Sequence, residues 1–298
     1  MPHALIGQLF PTPPFDFDKS LDFLGFFAPM EGEQSLAGRA LTKAVLIDGQ
    51  AVVFQVAASG DAAAPRLGYT LHSDRPIDDR ARAAAEDRIA FFLSAHDDLR
   101  PFYALARADP PFAALVERLY GYHQVKFLTP FENACWAVLT QRNPIALARP
   151  IKQALTERFG ASLEVAGERY GAFPEAAALA GADPAELRAL AGSDRRAEYL
   201  RALALAFADV DERWLRAAPY EQVEAWLRGI KGVGAWSATF VLLRGLGRME
   251  RLPVGEARLG QAVARVYGRP LGEAELAALA ERYGAWRGYW AHYLRVAG

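Results

Sequence analysis

LRGIKGVGAW, residues 227–236, places Gly229, Gly232 and Gly234 within six positions and sets Trp236 two residues after the last glycine. The amphipathic segment YEQVEAWLRGI leads into this stretch, and the amphipathic segment AWSATFVLLRGLG leads out of it. Glycine is the residue that lets a backbone take positive φ in a tight connection. The stretch therefore predicts two helices joined by a short hairpin.

The hairpin glycines also leave the amides at the start of the second helix without covering side chains. Such amides form an anion site, and a DNA phosphate fits there without any base being read. Lys231 supplies a nearby cation. The same spacing also occurs in plain pairs of helices in which glycine only ends the first helix, so the motif alone leaves both interpretations open.

Charge is unevenly distributed along the chain. The 298 residues carry 34 Lys and Arg against 35 Asp and Glu, a net charge of −1 that indicates no class of partner. Residues 228–298 carry eleven Lys and Arg against five Asp and Glu, whereas residues 1–130 carry twelve against sixteen. The segment that begins at the hairpin is therefore the most basic part of the chain.

Composition excludes several classes of site. Cys135 is the only cysteine, which excludes an intrachain disulfide, a CxxC zinc site and a four-cysteine iron–sulfur cluster. The first residues lack a charged segment followed by an apolar core, and no apolar run has the length of a membrane span. We expect a cytoplasmic protein with no membrane partner.

The first hundred residues predict a small α+β domain. The runs KAVLID, AVVFQVA and RLGYTLH favour strands, and Asp48-Gly49 between the first two favours a β-hairpin. Apolar residues recur at helical spacing from Asp78 to Ser94, which predicts a helix over the sheet. We therefore expect an α+β domain with an antiparallel sheet over residues 1–97.

Beyond Asp98 helix signals follow one another and almost nothing favours a strand. Many of the helix starts are marked by proline, which is well tolerated in the first turn. Starts are predicted near Pro101, Pro110, Pro130, Pro144, Pro174, Pro184, Ser193, Pro219, Ala235, Gly255, Gly272 and Ala285. The fold class predicted is mainly α, with an all-α unit over residues 98–298 behind the sheet domain.

The order of segments resembles a known family. LRPFYALARADPPFAALV, LTPFENACWAVLTQRNPIALA, the hairpin, ERLPVGEARLGQAV and YGAWRGYWAHYLRVAG together resemble the helix-hairpin-helix superfamily of DNA base-excision glycosylases, in its 3-methyladenine DNA glycosylase II branch. The resemblance implies a two-part helical core, with residues 131–250 as a central subdomain that includes the hairpin 229–234. Residues 98–130 and 251–298 would form the second subdomain.

The resemblance also implies a monomer that binds duplex DNA containing damaged bases and everts a nucleotide to reach its glycosidic bond. Arg142, flanked by Gln141 and Asn143, would fill the gap that the everted base leaves; the alternative is that Arg142 only solvates a helix end. The residues expected at the DNA phosphates are Gly229, Lys231, Gly232, Val233 and Gly234.

The resemblance places Trp236, Phe240, Trp286 and Tyr289 around the everted base. Aromatic faces suit an alkylated purine because its positive charge is attracted to the π-face. Aromatic residues at helical spacing are more often core residues, so that alternative stays open, least for Trp236, which begins a helix directly after the hairpin.

Glu256 stands where the family has its catalytic aspartate. Either carboxylate can stabilise an oxocarbenium-like sugar and orient the attacking water, but Glu reaches further by about 1.5 Å, one C–C bond. The family's bifunctional members carry a lysine at the position of Trp236, so this sequence predicts base hydrolysis without strand cleavage. The resemblance further implies a monovalent cation, Na⁺ or K⁺, on the carbonyls of Arg228, Ile230 and Val233, and no required cofactor.

Three functions remain distinguishable at this stage. The leading hypothesis is a monofunctional glycosylase that removes alkylated purines and uses Glu256. The second is a protein of the same fold that binds lesions and whose exchange of Asp for Glu has weakened hydrolysis. The third is a helical protein whose hairpin has only a structural role.

Overall fold

The computed structural model of the chain describes residues 3–253 and 257–296. An antiparallel sheet domain comes first and helices follow, so the predicted fold class is confirmed. Among the described residues, no helix combines the length and the apolar character that crossing a bilayer requires.

In the part of the chain that the structure describes, seven strands form two antiparallel sheets. They are β1 (His3–Leu9), β2 (Gln34–Ser35), β3 (Ala40–Ile47), β4 (Gln50–Ala58), β5 (Leu67–Ser73), β6 (Ala161–Val165) and β7 (Glu168–Ala172). The first five form one sheet in the order β1-β5-β4-β3-β2, and β6 pairs with β7 alone.

The helices account for most of the remaining chain. They are α1 (Phe17–Phe26), α2 (Asp79–Phe92), α3 (Arg100–Ala106), α4 (Pro110–Arg118), α5 (Pro130–Leu139), α6 (Ile145–Phe159), α7 (Ala176–Ala180), α8 (Pro184–Ala191), α9 (Asp194–Asp209), α10 (Glu212–Ala217), α11 (Tyr220–Gly229), α12 (Ala235–Phe240), α13 (Ala257–Tyr267), α14 (Glu273–Glu281) and α15 (Arg287–Val296). Short helical turns lie at Ala28–Met30, Ala37–Arg39, Val241–Gly245 and Gly284–Trp286, the third of them π-helical.

The large sheet forms as its sequence predicts. The three predicted runs are β3, β4 and β5, and the turn between the first two has positive φ at Asp48 (50°) and Gly49 (71°) with Ile47 paired to Gln50. Primed turns of this kind match the twist of paired strands. α2 packs on this sheet, and Asp78 begins the helix by accepting a hydrogen bond from the Ala81 amide at 2.8 Å.

The expectation that residues 98–298 are all-α is wrong in one place. β6 and β7 form a hairpin whose turn has positive φ at Ala166 and Gly167. The hairpin is stable because Ala172 packs against Ala44 and Val53 on a face of the large sheet. Its stabilising partner lies more than a hundred residues earlier in the chain, which a local sequence pattern does not reveal.

A cluster of buried charges joins the sheet domain to the helical core. Lys152 on α6 pairs with Glu132 on α5 at 2.6 Å and with Glu33, just before β2, at 2.5 Å. Lys43 on β3 pairs with the other oxygen of Glu33 at 2.9 Å. Because the side chains of both lysines and of Glu132 are 2–3% exposed, loss of one partner would leave an uncompensated charge.

The charge cluster predicts a pH dependence of stability. Burial acts to raise the pKa of the Glu33 carboxyl, but Lys152 and Lys43 outweigh it and lower that pKa from 4.5 to about 2. A depressed pKa contributes stability above the unfolded value that is lost as pH falls toward the folded value. We expect Glu33→Gln to lower the free energy of unfolding by about 2 kcal/mol at pH 6 and to flatten its decline between pH 5 and pH 2.

Urea unfolding at several pH values measures this effect. Glu31→Gln is the matched control, because Glu31 lies two residues away with an exposed side chain. A decline between pH 5 and pH 2 that is equally steep in the wild type and in Glu33→Gln would contradict the prediction.

Candidate functional site

The hairpin connects α11 to α12, and its three glycines have different roles. Gly232 alone of the three takes positive φ, at 92°. Gly229 ends α11, and Gly234, with φ −88°, caps the start of α12. No atom lies within 4 Å of the Cβ position at Gly229 or Gly234, so both leave open space beside the backbone.

Gly232 is held from two sides. A Cβ at this position would lie 2.3 Å from Cγ of Tyr199, so the tyrosine ring packs directly on the backbone. Gln141, just past the end of α5, donates from Nε2 to the Gly232 carbonyl at 2.7 Å and to Oγ of Ser237 at 3.2 Å. The hairpin is therefore fixed to both α5 and α9.

Some polar groups of the hairpin already have a hydrogen-bond or ion-pair partner, and others have none in the described part of the chain. Lys231 forms an exposed ion pair with Glu198, and the Val233 amide donates to the Ile230 carbonyl at 3.0 Å. Within residues 3–253 and 257–296, the amides of Gly234 and Trp236 donate to no acceptor. An anion approaching the start of α12 would therefore meet unengaged N–H groups.

The three residues predicted as the wedge point in different directions. Gln141 reaches the hairpin, and Asn143 turns back to donate from Nδ2 to the Leu139 carbonyl at 3.0 Å. Arg142 has a left-handed backbone, φ 50°, and is exposed. Its side chain makes no hydrogen bond or ion pair with the described residues, so it is the one of the three that projects outward.

Arg142 and the hairpin border one surface groove, here named the hairpin groove. Its lining residues are Val138, Gln141, Arg142, Ser193, Arg195, Arg196, Tyr199, Gly232, Val233, Gly234, Trp236 and Ser237. Arg195 lies over the Tyr199 ring at 5.3 Å and donates from Nε to its hydroxyl at 2.9 Å. Three arginines thus give the groove a positive side next to the unengaged amides.

A second depression, here named the aromatic cleft, is lined by other residues of α12 together with Trp236. Its lining residues are Gln124, Trp236, Thr239, Phe240, Leu243, Arg244, Met249, Pro253, Gly288, Ala291, His292 and Arg295. Trp236 and Phe240 are stacked with centroids 5.2 Å apart and planes 7° from parallel, and Trp236 is 42% exposed. Phe240 covers one face of the indole, so a planar ligand can stack only on the other face.

The aromatic cleft also contains polar residues that the sequence analysis did not predict. Gln124, Arg244 and His292 come from three distant segments, and each is at most 8% exposed. Burial, and then Arg244, lower the pKa of His292 well below 6.5, so the imidazole is neutral at pH 7. Its Nε2 lies 3.0 Å from the Tyr122 hydroxyl. Only the folded chain brings these groups together, which is why spacing could not reveal them.

The structure places Trp286 and Tyr289 away from this cleft. The Trp286 ring packs against those of Phe102, at 6.3 Å, and Tyr289, at 5.8 Å. Tyr289 is 1% exposed and donates its hydroxyl hydrogen to Asp97. The predicted pocket therefore separates into Trp236 and Phe240 at the cleft and Trp286 and Tyr289 in an aromatic cluster.

Helical phase explains this separation. The residues of α15 that line the cleft are Gly288, Ala291, His292 and Arg295, at positions i, i+3, i+4 and i+7 along one face. Tyr289 lies on the opposite face with Tyr293, whose ring it contacts at 6.3 Å. α15, which carries the predicted Tyr289, does line the cleft, but packing sets which face of the helix it presents there.

The comparison with family models supplies the deciding observation. Residues 135–283, half of the chain, match the model of the HhH-GPD superfamily base excision DNA repair protein. The matched range begins in α5, contains the hairpin groove and ends just after α14.

The chain belongs to the HhH-GPD superfamily.

Named relatives fall in the branch that the sequence resembles. The DNA-3-methyladenine glycosylase of Bacillus subtilis is 28% identical over 75% of both chains. The DNA-3-methyladenine glycosylase 2 of Escherichia coli is 30% identical over 53% of this chain and 54% of its own length. The predicted family, its branch and the enzyme class, a DNA N-glycosylase, are confirmed.

A solved structure extends the likeness to the sheet domain. The 3-methyladenine DNA-glycosylase of Archaeoglobus fulgidus superimposes with a TM-score of 0.77 over 97% of both chains, at 21% identity. At this identity the likeness concerns the fold alone. The HhH-GPD core and the five-stranded sheet before it therefore form a combination that also occurs in that protein.

Glu256, predicted from the sequence to stand where the family has its catalytic aspartate, lies outside the described residues. The chain on either side of it is described: Pro253 lines the aromatic cleft, and Leu259 on α13 is buried. The assignment of Glu256 stays a prediction from the sequence.

The different settings of two hairpin glycines predict different costs of substitution. We expect Gly232→Ala to lower the free energy of unfolding by about 2 kcal/mol, since positive φ and the Tyr199 ring both oppose a methyl group. Gly234→Ala should cost less than about 1 kcal/mol, because its backbone is extended and its surroundings are open. Urea unfolding of the two variants measures the difference.

A double variant separates the two contributions. Combining Gly232→Ala with Tyr199→Ala should remove the contact with the ring but keep the cost of positive φ, so the combined loss should be smaller than the sum of the single losses. Equal costs at Gly232 and Gly234 would contradict the proposed locking of the turn.

Proposed function

We propose that this chain excises alkylated purines from duplex DNA by hydrolysis, after everting the damaged nucleotide, and leaves the strand uncut. The single observation that carries the proposal is the position of Trp236, which lines both the hairpin groove and the aromatic cleft. Only the Trp236 side chain would then separate a DNA strand in the groove from the cleft. The relatives named for 3-methyladenine support this substrate class.

The hairpin groove offers the contacts that a DNA backbone needs. Phosphates can accept hydrogen bonds from the amides of Gly234 and Trp236, and Gly234 has no side chain to block their approach. Arg195 and Arg142 supply positive charge along the same groove. We include in the proposal a Na⁺ or K⁺ ion, which the carbonyls of Arg228, Ile230 and Val233 would hold and which would add positive charge where the phosphates bind. The Ile230 carbonyl also accepts the Val233 amide.

Eversion of a base requires a group that takes its place in the stack. Arg142 is suited to this role because its guanidinium is planar and its side chain projects from the rim of the groove without a partner among the described residues. Gln141 anchors the preceding residue to the hairpin, so the position of Arg142 is tied to the site that would hold the phosphates.

The everted base would enter the aromatic cleft and stack on the open face of Trp236. A cation on an indole face gains roughly 0.5 to 2 kcal/mol, more where water is excluded. Phe240 holds the indole from behind, so little ordering is needed when the base arrives.

Chemistry at the sugar is assigned to Glu256. Its carboxylate would stabilise the oxocarbenium-like sugar as the C–N bond breaks and orient the water that attacks the anomeric carbon. Pro253, three residues earlier, lines the cleft, which supports a carboxylate near its rim. A cationic alkylpurine is a good leaving group and needs the least assistance from a carboxylate whose reach differs from that of aspartate.

A lyase step is absent from the proposal for two reasons. The position two residues after the last hairpin glycine holds Trp236, which cannot form a Schiff base. Lys231 is exposed and paired with Glu198, and this pairing raises its pKa further and keeps it a poor nucleophile. Borohydride should therefore trap no covalent adduct between the protein and abasic duplex.

The central test is release of 3-methyladenine and 7-methylguanine from alkylated duplex DNA. We expect Glu256→Gln to lower the single-turnover rate at least about a hundredfold, because the charge that stabilises the sugar is lost while shape is kept. Binding of Glu256→Gln to abasic duplex should equal that of the wild type, which shows that the loss is catalytic.

Equal release by the wild type and Glu256→Gln would overturn the role of Glu256. Tight binding to alkylated DNA with no release by the wild type would favour the alternative, a lesion-binding protein of glycosylase fold. Efficient borohydride trapping would overturn the absence of a lyase step.

A matched pair of glycines tests the groove. Gly234 caps α12 and Gly272 caps α14, and both have extended backbones and open surroundings. We expect Gly234→Leu to weaken binding to abasic and undamaged duplex about tenfold, since the loss of one or two hydrogen bonds to a charged phosphate costs this much. Gly272→Leu should leave binding unchanged.

Fluorescence anisotropy with labelled duplex at several salt concentrations measures both variants. Wild-type affinity should fall as salt rises, as phosphate contacts require. Equal losses in Gly234→Leu and Gly272→Leu, or wild-type binding that does not depend on salt, would contradict the proposed DNA surface.

A further inference from the structure

Gln124 contributes an amide to the aromatic cleft that no step described so far uses. The residue is 1% exposed and belongs to the segment between α4 and α5. Its Nε2 donates to the Leu243 carbonyl at 3.0 Å. Leu243 lies in the π-helical turn that follows α12 and lines the same cleft.

The orientation of this amide is fixed by its partner. A carbonyl only accepts, so the nitrogen end of the Gln124 amide has to face Leu243, and the oxygen end has to face elsewhere. Leu243 is near the end of its helix, where carbonyls need donors from outside the helix. Reversing the amide would set two oxygens against each other.

The oxygen end is left without a partner. Oε1 of Gln124 is buried and accepts no hydrogen bond within the described residues. A buried acceptor without a partner destabilises the fold, so a donor from a ligand would be favoured at this position. Other polar groups of the cleft are engaged: His292 contacts the Tyr122 hydroxyl, and Arg244 lies over the rings of Phe23 and Phe27 at 5.1 and 4.8 Å.

We propose that Oε1 of Gln124 accepts a hydrogen bond from the exocyclic amino group of the everted purine and so selects aminopurines. The inference rests on the proposed function and adds a specificity-determining residue to it. In an N-alkylated adenine the positive charge is shared with the amino group, so this hydrogen bond is charge-assisted. Gln124 thus favours alkylated adenine over the neutral base as well as over purines without an amino group.

Free bases test the inference without any catalytic step. The probes are 7-methyladenine and 7-methylpurine, which differ only in the 6-amino group. We expect the wild type to bind 7-methyladenine about tenfold more tightly, and Gln124→Met to bind the two equally, because the thioether has nearly the same length but is a poor acceptor. NMR titration gives both dissociation constants.

A rescue variant separates recognition from packing. Gln124→Glu keeps an acceptor oxygen and should keep a preference for 7-methyladenine of severalfold or more. Thermal unfolding and binding to abasic duplex show whether the variants are folded. If Gln124→Met does not fold, the ratio of the two wild-type dissociation constants still tests the inference. Equal binding of 7-methyladenine and 7-methylpurine by the wild type overturns it.

Failure of this inference differs from failure of the proposed function. Undiminished discrimination in a folded Gln124→Met would overturn the role of Gln124 and leave release of alkylated bases untouched. Discrimination that disappears in Gln124→Met would support it even if Glu256→Gln released bases as fast as the wild type.

Discussion

The turn at Gly232 is the constraint on which the site depends. Three features fix the hairpin between α5 and α9. They are the positive φ of Gly232, the Tyr199 ring against its backbone and the hydrogen bond from the Gln141 amide to its carbonyl. Trp236 follows four residues later in the first turn of α12, so the turn also sets the indole. A loose hairpin would move the surface proposed for phosphate and the surface proposed for the base at the same time, and misplacement of about 1 Å can cost a hundredfold in rate.

The described part of the sheet domain lines neither the hairpin groove nor the aromatic cleft, but buried ion pairs connect it to the helices next to the hairpin. The pairs that Lys152 forms with Glu132 and Glu33 cross from α5 and α6 to the segment before β2. Gln141 and Arg142 directly follow α5, so a shift of α5 relative to the sheet would also move these two residues. Buried pairs of this kind fix one arrangement because any other leaves a charge uncompensated. The net negative charge of the sheet domain is consistent with a supporting rather than a DNA-binding role.

The sequence was informative where structure is decided locally. Glycine spacing and two amphipathic flanks identified the hairpin, and Asp48-Gly49 identified the β3–β4 turn. β1 and the β6–β7 hairpin were missed because each is stabilised by strands distant in the chain. The choice between Tyr289 and His292 depended on the rotation of α15 about its axis, which packing decides. No signal in the sequence pointed to Gln124, because its proposed role depends on the Leu243 carbonyl. That carbonyl accepts from Nε2 of Gln124 and leaves Oε1 without a donor among the described residues.

Arginines in a cleft proposed for a cationic base oppose binding of that base by charge, yet they would favour the proposed reaction. Arg244 and Arg295 both line the cleft, while His292 is neutral. As the C–N bond of an alkylpurine breaks, positive charge leaves the base and develops on the sugar. In the proposed reaction, repulsion between the base and the arginines would therefore be relieved in the transition state, and the attraction between Glu256 and the sugar would grow. Interactions that change in this direction accelerate the chemical step, whereas equally tight binding of the substrate and the transition state would not.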